Sequence, residues 1–135
     1  DGVYAIKEFL KSNKGNYNSW CYSSLNEVKS QFKKLNLNQK AVFVKGDILK
    51  TLTNKKNIPS KIALLRLDTD WYKSTKFELE ILYPLLQKDG VLLIDDYGHW
   101  EGARKAVSEY SEEKESFNKC LIWKTDFTGR GMIKK

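Results

Sequence analysis

The feature that most constrains this chain is a pair of short apolar segments that each end in carboxylates. The segments and the acidic residues after them are residues 62–67 with Asp68 and Asp70, and residues 91–94 with Asp95 and Asp96. Leu-rich runs of this length are typical of buried parallel strands. Because the carboxyl ends of neighbouring parallel strands open onto one crevice, we expect the four carboxylates to share a small volume.

Crowded carboxylates raise one another's pKa and destabilise the fold unless a cation neutralises them. An all-oxygen ligand set favours a hard divalent ion, and Mg²⁺ is the common choice. The two clusters therefore predict a metal-dependent enzyme.

Composition narrows the class of protein. The chain has 135 residues, enough for one domain, and 41% of them are hydrophobic, which is typical of globular proteins. The net charge is +7, but scattered lysines supply nearly all of the basic residues, so we expect no nucleic-acid binding. No apolar run approaches membrane-spanning length, so we expect no membrane insertion. Cys21 and Cys120 lack CxxC spacing, which favours reduced thiols and a cytoplasmic protein.

The first part of the chain predicts helices and one strand. An apolar face indicates a helix over residues 3–11, and Ser24 with Glu27 forms a capping box that begins another. The expected buried stripe of this second helix is Leu25, Val28, Phe32 and Leu35. Residues 41–45 predict a strand, and residues 48–52 predict a short helical turn.

The remainder alternates strands and helices, which indicates an α/β sheet. The predicted strands cover residues 62–67, 91–95, 120–123 and 127–133. We expect the first two to be parallel and the last two to form an antiparallel pair. Helices are expected over residues 74–87, closed by Gly90, and over residues 102–113. The inward face of the second of these would hold Ala103, Ala106, Val107 and Tyr110.

A nucleotide-type cofactor site in such a sheet uses a glycine-rich turn after the first strand. No GxGxxG pattern follows any predicted strand. We therefore interpret residues 1–135 as a single partial domain, the carboxyl part of a larger one. An apolar sheet edge left exposed would then be covered by another chain, and we expect a homo-oligomer.

The stretch from Trp20 to Gly129 resembles the macrocin O-methyltransferase family, whose members methylate sugar hydroxyls of macrolide and aminocoumarin antibiotics. The segments that carry the resemblance are residues 24–29, 44–46, 65–75, 82–84, 90, 94–98 and 102–107. The spacing between Asp68 and Asp95 also matches that family.

The resemblance implies a Rossmann-like class I methyltransferase sheet and dependence on S-adenosylmethionine and Mg²⁺. By position, the implied metal ligands are Asp68, Asp95 and Asp96. Asp70 would be the general base that takes the proton from the acceptor hydroxyl. Gly46, Asp47 and Asp68 would contact the cofactor. The expected substrate-binding residues are Trp71, Tyr72, His99 and Trp100. The acceptor would be a small molecule or glycan.

Simpler roles stay open for these residues. Asp70 could cap the following helix, Asp95 and Asp96 could end a strand in a turn, and Gly46 with Asp47 could form an ordinary turn. His99 could be a surface side chain, and Trp71 and Tyr72 could belong to the core. The rival functions are a DxD phosphatase, a DxD glycosyltransferase, and a non-catalytic domain that binds a partner.

Overall fold

The computed structural model describes residues 2–15, 17–20 and 22–135, with side chains from Lys7 onward. The helices are α1 (Gly2–Lys11), α2 (Leu25–Lys34), α3 (Ile48–Thr51), α4 (Tyr72–Leu82), α5 (Glu101–Glu113) and α6 (Glu115–Asn118). The strands are β1 (Ile62–Leu67), β2 (Leu86–Ile94), β3 (Ile122–Lys124) and β4 (Arg130–Ile133). Short 3₁₀ turns cover Asn38–Lys40, Lys55–Asn57 and Tyr83–Leu85.

The strands form one mixed sheet in the order β1-β2-β4-β3. β1 and β2 are parallel, with Leu67 opposite Ile94, and α4 connects them. β4 is antiparallel to both of its neighbours. The predicted α/β sheet, with its parallel pair and its final antiparallel pair, is confirmed.

Helices α4 and α5 lie against this sheet and against each other because each carries an apolar stripe. The inward face predicted for α5 is buried, and Leu79 and Leu82 face the core from α4. Tyr83, Tyr110 and Phe117 form an aromatic group whose ring centroids lie 4.9–5.7 Å apart. The packed helices hold the carboxyl ends of β1 and β2 in place.

The connection between α4 and β2 differs from the sequence-based expectation. The helix ends at Leu82 rather than at residue 87, and β2 begins at Leu86, so Gly90 lies inside a strand. Pro84 ends the α-helix because it has no backbone N–H to donate to the preceding turn, and Tyr83 before it passes into the short 3₁₀ turn. The ammonium of Lys134 donates to the carbonyl oxygens of Tyr83, Pro84 and Leu86, which stabilises the turn.

The predicted strand over residues 41–45 is wrong, because this segment has no assigned strand. Val42 is 91% exposed, and no described strand lies beside it to supply hydrogen-bonding partners. The predicted buried stripe of α2 is wrong as well: none of that helix's residues is buried, and Leu35 is 66% exposed. The capping box of Ser24 and Glu27 is nevertheless present. The local capping signal therefore predicted a feature that is present, whereas the predicted packing of residues 41–45 and of α2 was wrong.

Two further expectations concern cysteines and membranes. Cys120 is a free, buried thiol, as predicted, and Cys21 lies outside the described residues. Among the described helices, none has the length and apolar character needed to cross a bilayer.

Candidate active site

The carboxylates after β1 and β2 do converge at one edge of the sheet. Asp68, Asp70 and Asp96 can each present an oxygen so that these atoms lie within 4.8 Å of one another. The neighbouring strand ends are held together because the Asp95 amide donates to the Leu67 carbonyl over 2.9 Å. The geometry expected of parallel strand ends is therefore present.

Asp95 points to a different partner. Its Oδ1 accepts a hydrogen bond from the Arg66 guanidinium at 2.8 Å, and the same nitrogen lies 3.0 Å from Asp68 Oδ2. Arg66 thus neutralises part of the negative charge on the outer side of the cluster. The converging set differs from the expected ligand set, because it contains Asp70 where the sequence suggested Asp95.

Hydrogen bonds of the residues on either side hold the loop that carries Asp70. Asp70 has a positive φ of 63°, a left-handed conformation that aspartate and asparagine adopt more readily than most residues. The Thr69 hydroxyl donates to the buried Glu78 carboxylate over 2.6 Å, and Ser74 Oγ donates to the carbonyl oxygens of Thr69 and Trp71. Trp71 is the N-cap of α4, without a side-chain cap, so the capping role considered for Asp70 does not apply.

Burial and crowding change the proton affinity of these groups in different ways. Burial, together with the Asp96 carboxylate, raises the pKa of Asp70 to about 7. Burial and the neighbouring Asp95 also raise the pKa of Asp68, whereas the hydrogen bond from Arg66 lowers the pKa of Asp95. Asp70 is thus the carboxyl best suited to exchange a proton near neutral pH.

The loop after β2 folds back on itself. The Asp96 carbonyl accepts hydrogen bonds from the amides of His99 and Trp100, at 3.1 and 3.0 Å. The Gly98 amide donates to the Thr128 carbonyl at 2.8 Å, and a Cβ at Gly98 would contact the backbone of Thr128 at 3.0 Å. This close approach favours glycine, and it brings His99 and Trp100 beside the carboxylates.

A cavity of about 540 Å³ lies over the carboxylates. Its lining residues are Trp20, Asp68, Asp70, Asp95, Asp96, His99 and Trp100. The rings of Trp20, Trp71 and Trp100 pack together with centroids 5.6–6.0 Å apart. The site therefore has an acidic floor and an aromatic wall.

A second, larger cavity of about 970 Å³ lies beside α3, α4 and α5. Gly46, Asp47, Trp71 and Tyr72 line it. Gly46 has a φ of 147°, and Asp47 caps α3 by accepting from the Leu49 amide, so this pair forms a turn that also faces a cavity. The Tyr72 hydroxyl donates to Glu109 of α5 at 2.5 Å.

The structure thus places the sequence-predicted residues in two cavities, and Trp71 and Tyr72 line the larger one rather than the acidic one. Sequence reasoning missed Arg66, Glu78 and Trp20. Glu78 is 5% exposed, and its position one turn after Ser74 on the buried face of α4 was the available signal. Trp20 had no such signal, because its neighbours are distant in sequence.

The donor set fits a hard divalent cation. Carboxylates within 4.8 Å of one another supply oxygen ligands. Burial raises the pKa of Asp68 and of Asp70, and the neighbouring carboxylates raise both further, so a bound cation would offset a cost that the fold already carries.

A Rossmann-like sheet with carboxylates at its carboxyl edge defines an α/β enzyme class in which ligands bind at the strand ends. The profile of the family described as TylF, macrocin-O-methyltransferase, matches residues 6–129. The chain belongs to this macrocin O-methyltransferase family.

Individual relatives agree with that assignment. The chain is 36% identical over 87 residues to the 8-demethyl-8-(2,3-dimethoxy-alpha-L-rhamnosyl)-tetracenomycin-C 4'-O-methyltransferase of Streptomyces olivaceus, a match that covers 64% of this chain and 32% of the relative. The structure of the O-methyltransferase NovP superposes with a TM-score of 0.78 at 29% identity, covering 87% of this chain and 48% of NovP. CalS11, a TDP-rhamnose 3'-O-methyltransferase of calicheamicin biosynthesis, shares the fold, with a TM-score of 0.60 at 18% identity over 85% of this chain and 55% of CalS11.

Proposed function

We propose that this chain functions as an S-adenosylmethionine- and Mg²⁺-dependent O-methyltransferase that acts on a sugar hydroxyl of a glycosylated small molecule or glycan. The observation that carries the proposal is the convergence of Asp68, Asp70 and Asp96 under an aromatic wall, in a member of a methyltransferase family. The chain spans less than two thirds of the relatives it matches, so the activity of the whole protein is part of this proposal.

The residues divide into ligands and a base. Asp68 and Asp96 would hold the cation, and Asp95, which lines the same cavity, is the third proposed ligand. When bound, Mg²⁺ supplies Lewis-acid assistance that lowers the pKa of a sugar hydroxyl.

Asp70 would act as the general base. Its pKa, raised to about 7 by burial and by Asp96, suits a group that accepts a proton from an alcohol near neutral pH. Asp70 would take the proton of the acceptor hydroxyl, and S-adenosylmethionine, when bound, would give its methyl group to the sugar oxygen and leave as S-adenosylhomocysteine. The fixed loop beneath Asp70 contributes by holding the base in position.

The larger cavity suits the methyl donor. S-Adenosylmethionine supplies the methyl group on a sulfonium centre. Gly46 and Asp47 line this cavity, and Asp68 lines the acidic cavity. We assign all three residues to cofactor binding. His99 and Trp100, which line the acidic cavity, would contact the acceptor. Trp71 and Tyr72 line the larger cavity and would contact the acceptor from that side, next to the methyl donor. Because the Streptomyces relative is a 4'-O-methyltransferase of a rhamnosyl-tetracenomycin, we propose a rhamnose-type glycoside as the acceptor to test first.

Three further properties stay predictions. They are the partial methyltransferase domain at residues 1–135, assembly as a homo-oligomer, and a cytoplasmic location. The exposed apolar side chain of Leu64 on the edge strand β1 favours coverage by another polypeptide.

The test is a binding and transfer assay on the chain with S-adenosylmethionine, Mg²⁺ and methyl α-L-rhamnopyranoside. We expect S-adenosylhomocysteine to bind to the chain. When S-adenosylmethionine carries a radioactive methyl group, we expect label in the glycoside only in the presence of Mg²⁺. A chelator should abolish transfer, and Mg²⁺ should restore it.

The same assay separates the rival functions. Absence of S-adenosylhomocysteine binding, with Mg²⁺ bound, would contradict the methyltransferase and leave a metal-dependent phosphatase or glycosyltransferase. Absence of both would favour a non-catalytic domain that binds a partner.

A further inference from the structure

We propose that Trp20 is a specificity-determining residue that packs its indole against the ring of the acceptor sugar. This inference rests on the proposed function, because it assigns a residue to the acceptor of that reaction. Neither the strand-end motifs nor the aromatic residues next to them in sequence point to Trp20.

Trp20 differs from the other members of the tryptophan group in what it faces. Trp100 lines the acidic cavity but is 6% exposed and packs against Ala103, so its ring is mostly core. Trp71 lines the larger cavity instead. Trp20 lines the acidic cavity and is only half-buried, which leaves part of its indole open toward the carboxylates.

The position of Trp20 is fixed before any ligand binds. Its amide donates to Asn18 Oδ1 at 2.8 Å, and Asn18 Nδ2 donates to the Phe9 carbonyl at 2.7 Å. The Phe9 ring packs edge-on against Trp71, with centroids 6.4 Å apart. The loop around residues 12–19 is closed by the Ser19 amide, which donates to the Ser12 carbonyl. An aromatic surface held in this way loses little conformational entropy on binding.

The chemistry of a pyranose fits this arrangement. One face of the ring presents C–H groups, which pack well on an indole, whereas the hydroxyl groups at its edge need polar partners. The cavity offers an indole on one wall and carboxylates on its floor. A sugar seated on Trp20 therefore exposes a hydroxyl edge toward Asp70 and its neighbours, so Trp20 would select pyranosides over aliphatic alcohols.

The experiment follows the tryptophan indole N–H signals of ¹⁵N-labelled protein during titrations with methyl α-L-rhamnopyranoside, in the presence of Mg²⁺ and S-adenosylhomocysteine. Trp20→Phe assigns the Trp20 signal and keeps an aromatic ring, and Trp20→Ala removes the ring. Trp123→Phe, on β3 and away from both cavities, is the matched control. Amide spectra of each variant report whether the fold is intact.

We expect the Trp20 signal to shift with the glycoside and the Trp123 signal to stay in place. Trp20→Ala should weaken glycoside binding roughly tenfold, and Trp20→Phe should recover most of it. Mg²⁺ affinity should change by less than about twofold in both, because the indole is not a ligand. Unchanged glycoside affinity in Trp20→Ala, or an unmoved Trp20 signal, would overturn the role of Trp20 alone. A wild-type chain that binds S-adenosylhomocysteine but no glycoside would overturn both this role and the proposed acceptor class.

Discussion

The two halves of this molecule are built very differently. Residues 62–133 contain all of the described strands and nearly all of the buried apolar side chains, including Leu79 and Leu92 at 0% exposure. Before Ile62, Leu52 is the only buried apolar residue among the described side chains. Among its described residues, the first half therefore consists of helices and loops with almost no buried apolar side chains.

The residues of the candidate site are divided between these two halves. The carboxylates come from the densely packed half, where strand pairing and buried helices fix their positions. Trp20, Gly46 and Asp47 come from the sparse half and complete the cavity walls. In the proposed function, the catalytic and metal-binding carboxylates therefore lie in the densely packed half, and part of the binding surface lies in the half that packs least.

The largest expected effect tests whether catalysis belongs to the packed half. Asp70→Asn should lower turnover by about two to four orders of magnitude and leave Mg²⁺ binding nearly intact, because it removes the proposed general base. Asp68→Asn should weaken Mg²⁺ binding as well as turnover, since it removes a charged ligand. Methyl-transfer assays and Mg²⁺ titrations measure the two quantities.

Asp89→Asn is the matched control for these variants. Asp89 has the same positive φ of 63° as Asp70 and lies on β2 before Gly90, away from both cavities. Its turnover should match that of the wild type. Equal loss of Mg²⁺ affinity in Asp70→Asn and Asp68→Asn would make Asp70 a ligand rather than the base.

Truncation of apolar side chains tests the difference in packing directly. Leu79→Ala, at a fully buried position of α4, should lower the free energy of unfolding by about 2–5 kcal/mol. Val42→Ala, at a position that is 91% exposed, should change it by less than about 0.5 kcal/mol. Urea denaturation measures both. A comparable decrease in the free energy of unfolding for both variants would contradict the view that the first half lacks a packed core.

The pH dependence of stability tests the crowding of carboxylates. The pKa of Asp70 is raised from 3.8 to about 7 in the fold. The stability contributed by its protonated form is therefore fully present below 3.8 and is lost as pH rises through about 7. Without divalent cations, Asp70→Asn should match the wild type at low pH and exceed its stability by roughly 1 kcal/mol above neutrality. A constant difference across that range, measured by denaturation, would contradict the assigned cause.

The smallest effect concerns the sparse half alone. Ser24 Oγ accepts from the Glu27 amide, and Glu27 Oε2 accepts from the Ser24 amide at 2.7 Å. Ser24→Ala should destabilise α2 by about 1 kcal/mol, seen as faster amide hydrogen exchange in that helix. Ser24→Asp, which can still cap, should restore protection. Equal changes in the amides of β2 would show that the two halves unfold together.

Local patterns predicted several elements of both halves correctly. β1 has the predicted bounds, the capping box begins α2, and the inward face of α5 is the one that its 3.6-residue spacing indicated. These features depend on residues only a few positions apart, so they can be predicted from the sequence alone. The paired carboxylates belong to the same group, because strand ends in a parallel pair meet by geometry.

Partner choice was decided by the tertiary structure. Residues 41–45 have the composition of a strand but no described partner, and a strand without a partner leaves its backbone groups to water. Arg66 donates a hydrogen bond to Asp95, whereas Asp70 lies close to Asp68 and Asp96. The spacing of these residues in the sequence does not predict this arrangement. Trp20 packs against Trp71 and Trp100, which lie 51 and 80 positions later in the chain. Periodicity and capping are short-range properties that the sequence determines by itself, whereas these contacts join segments far apart in the chain, and folding alone brings them together.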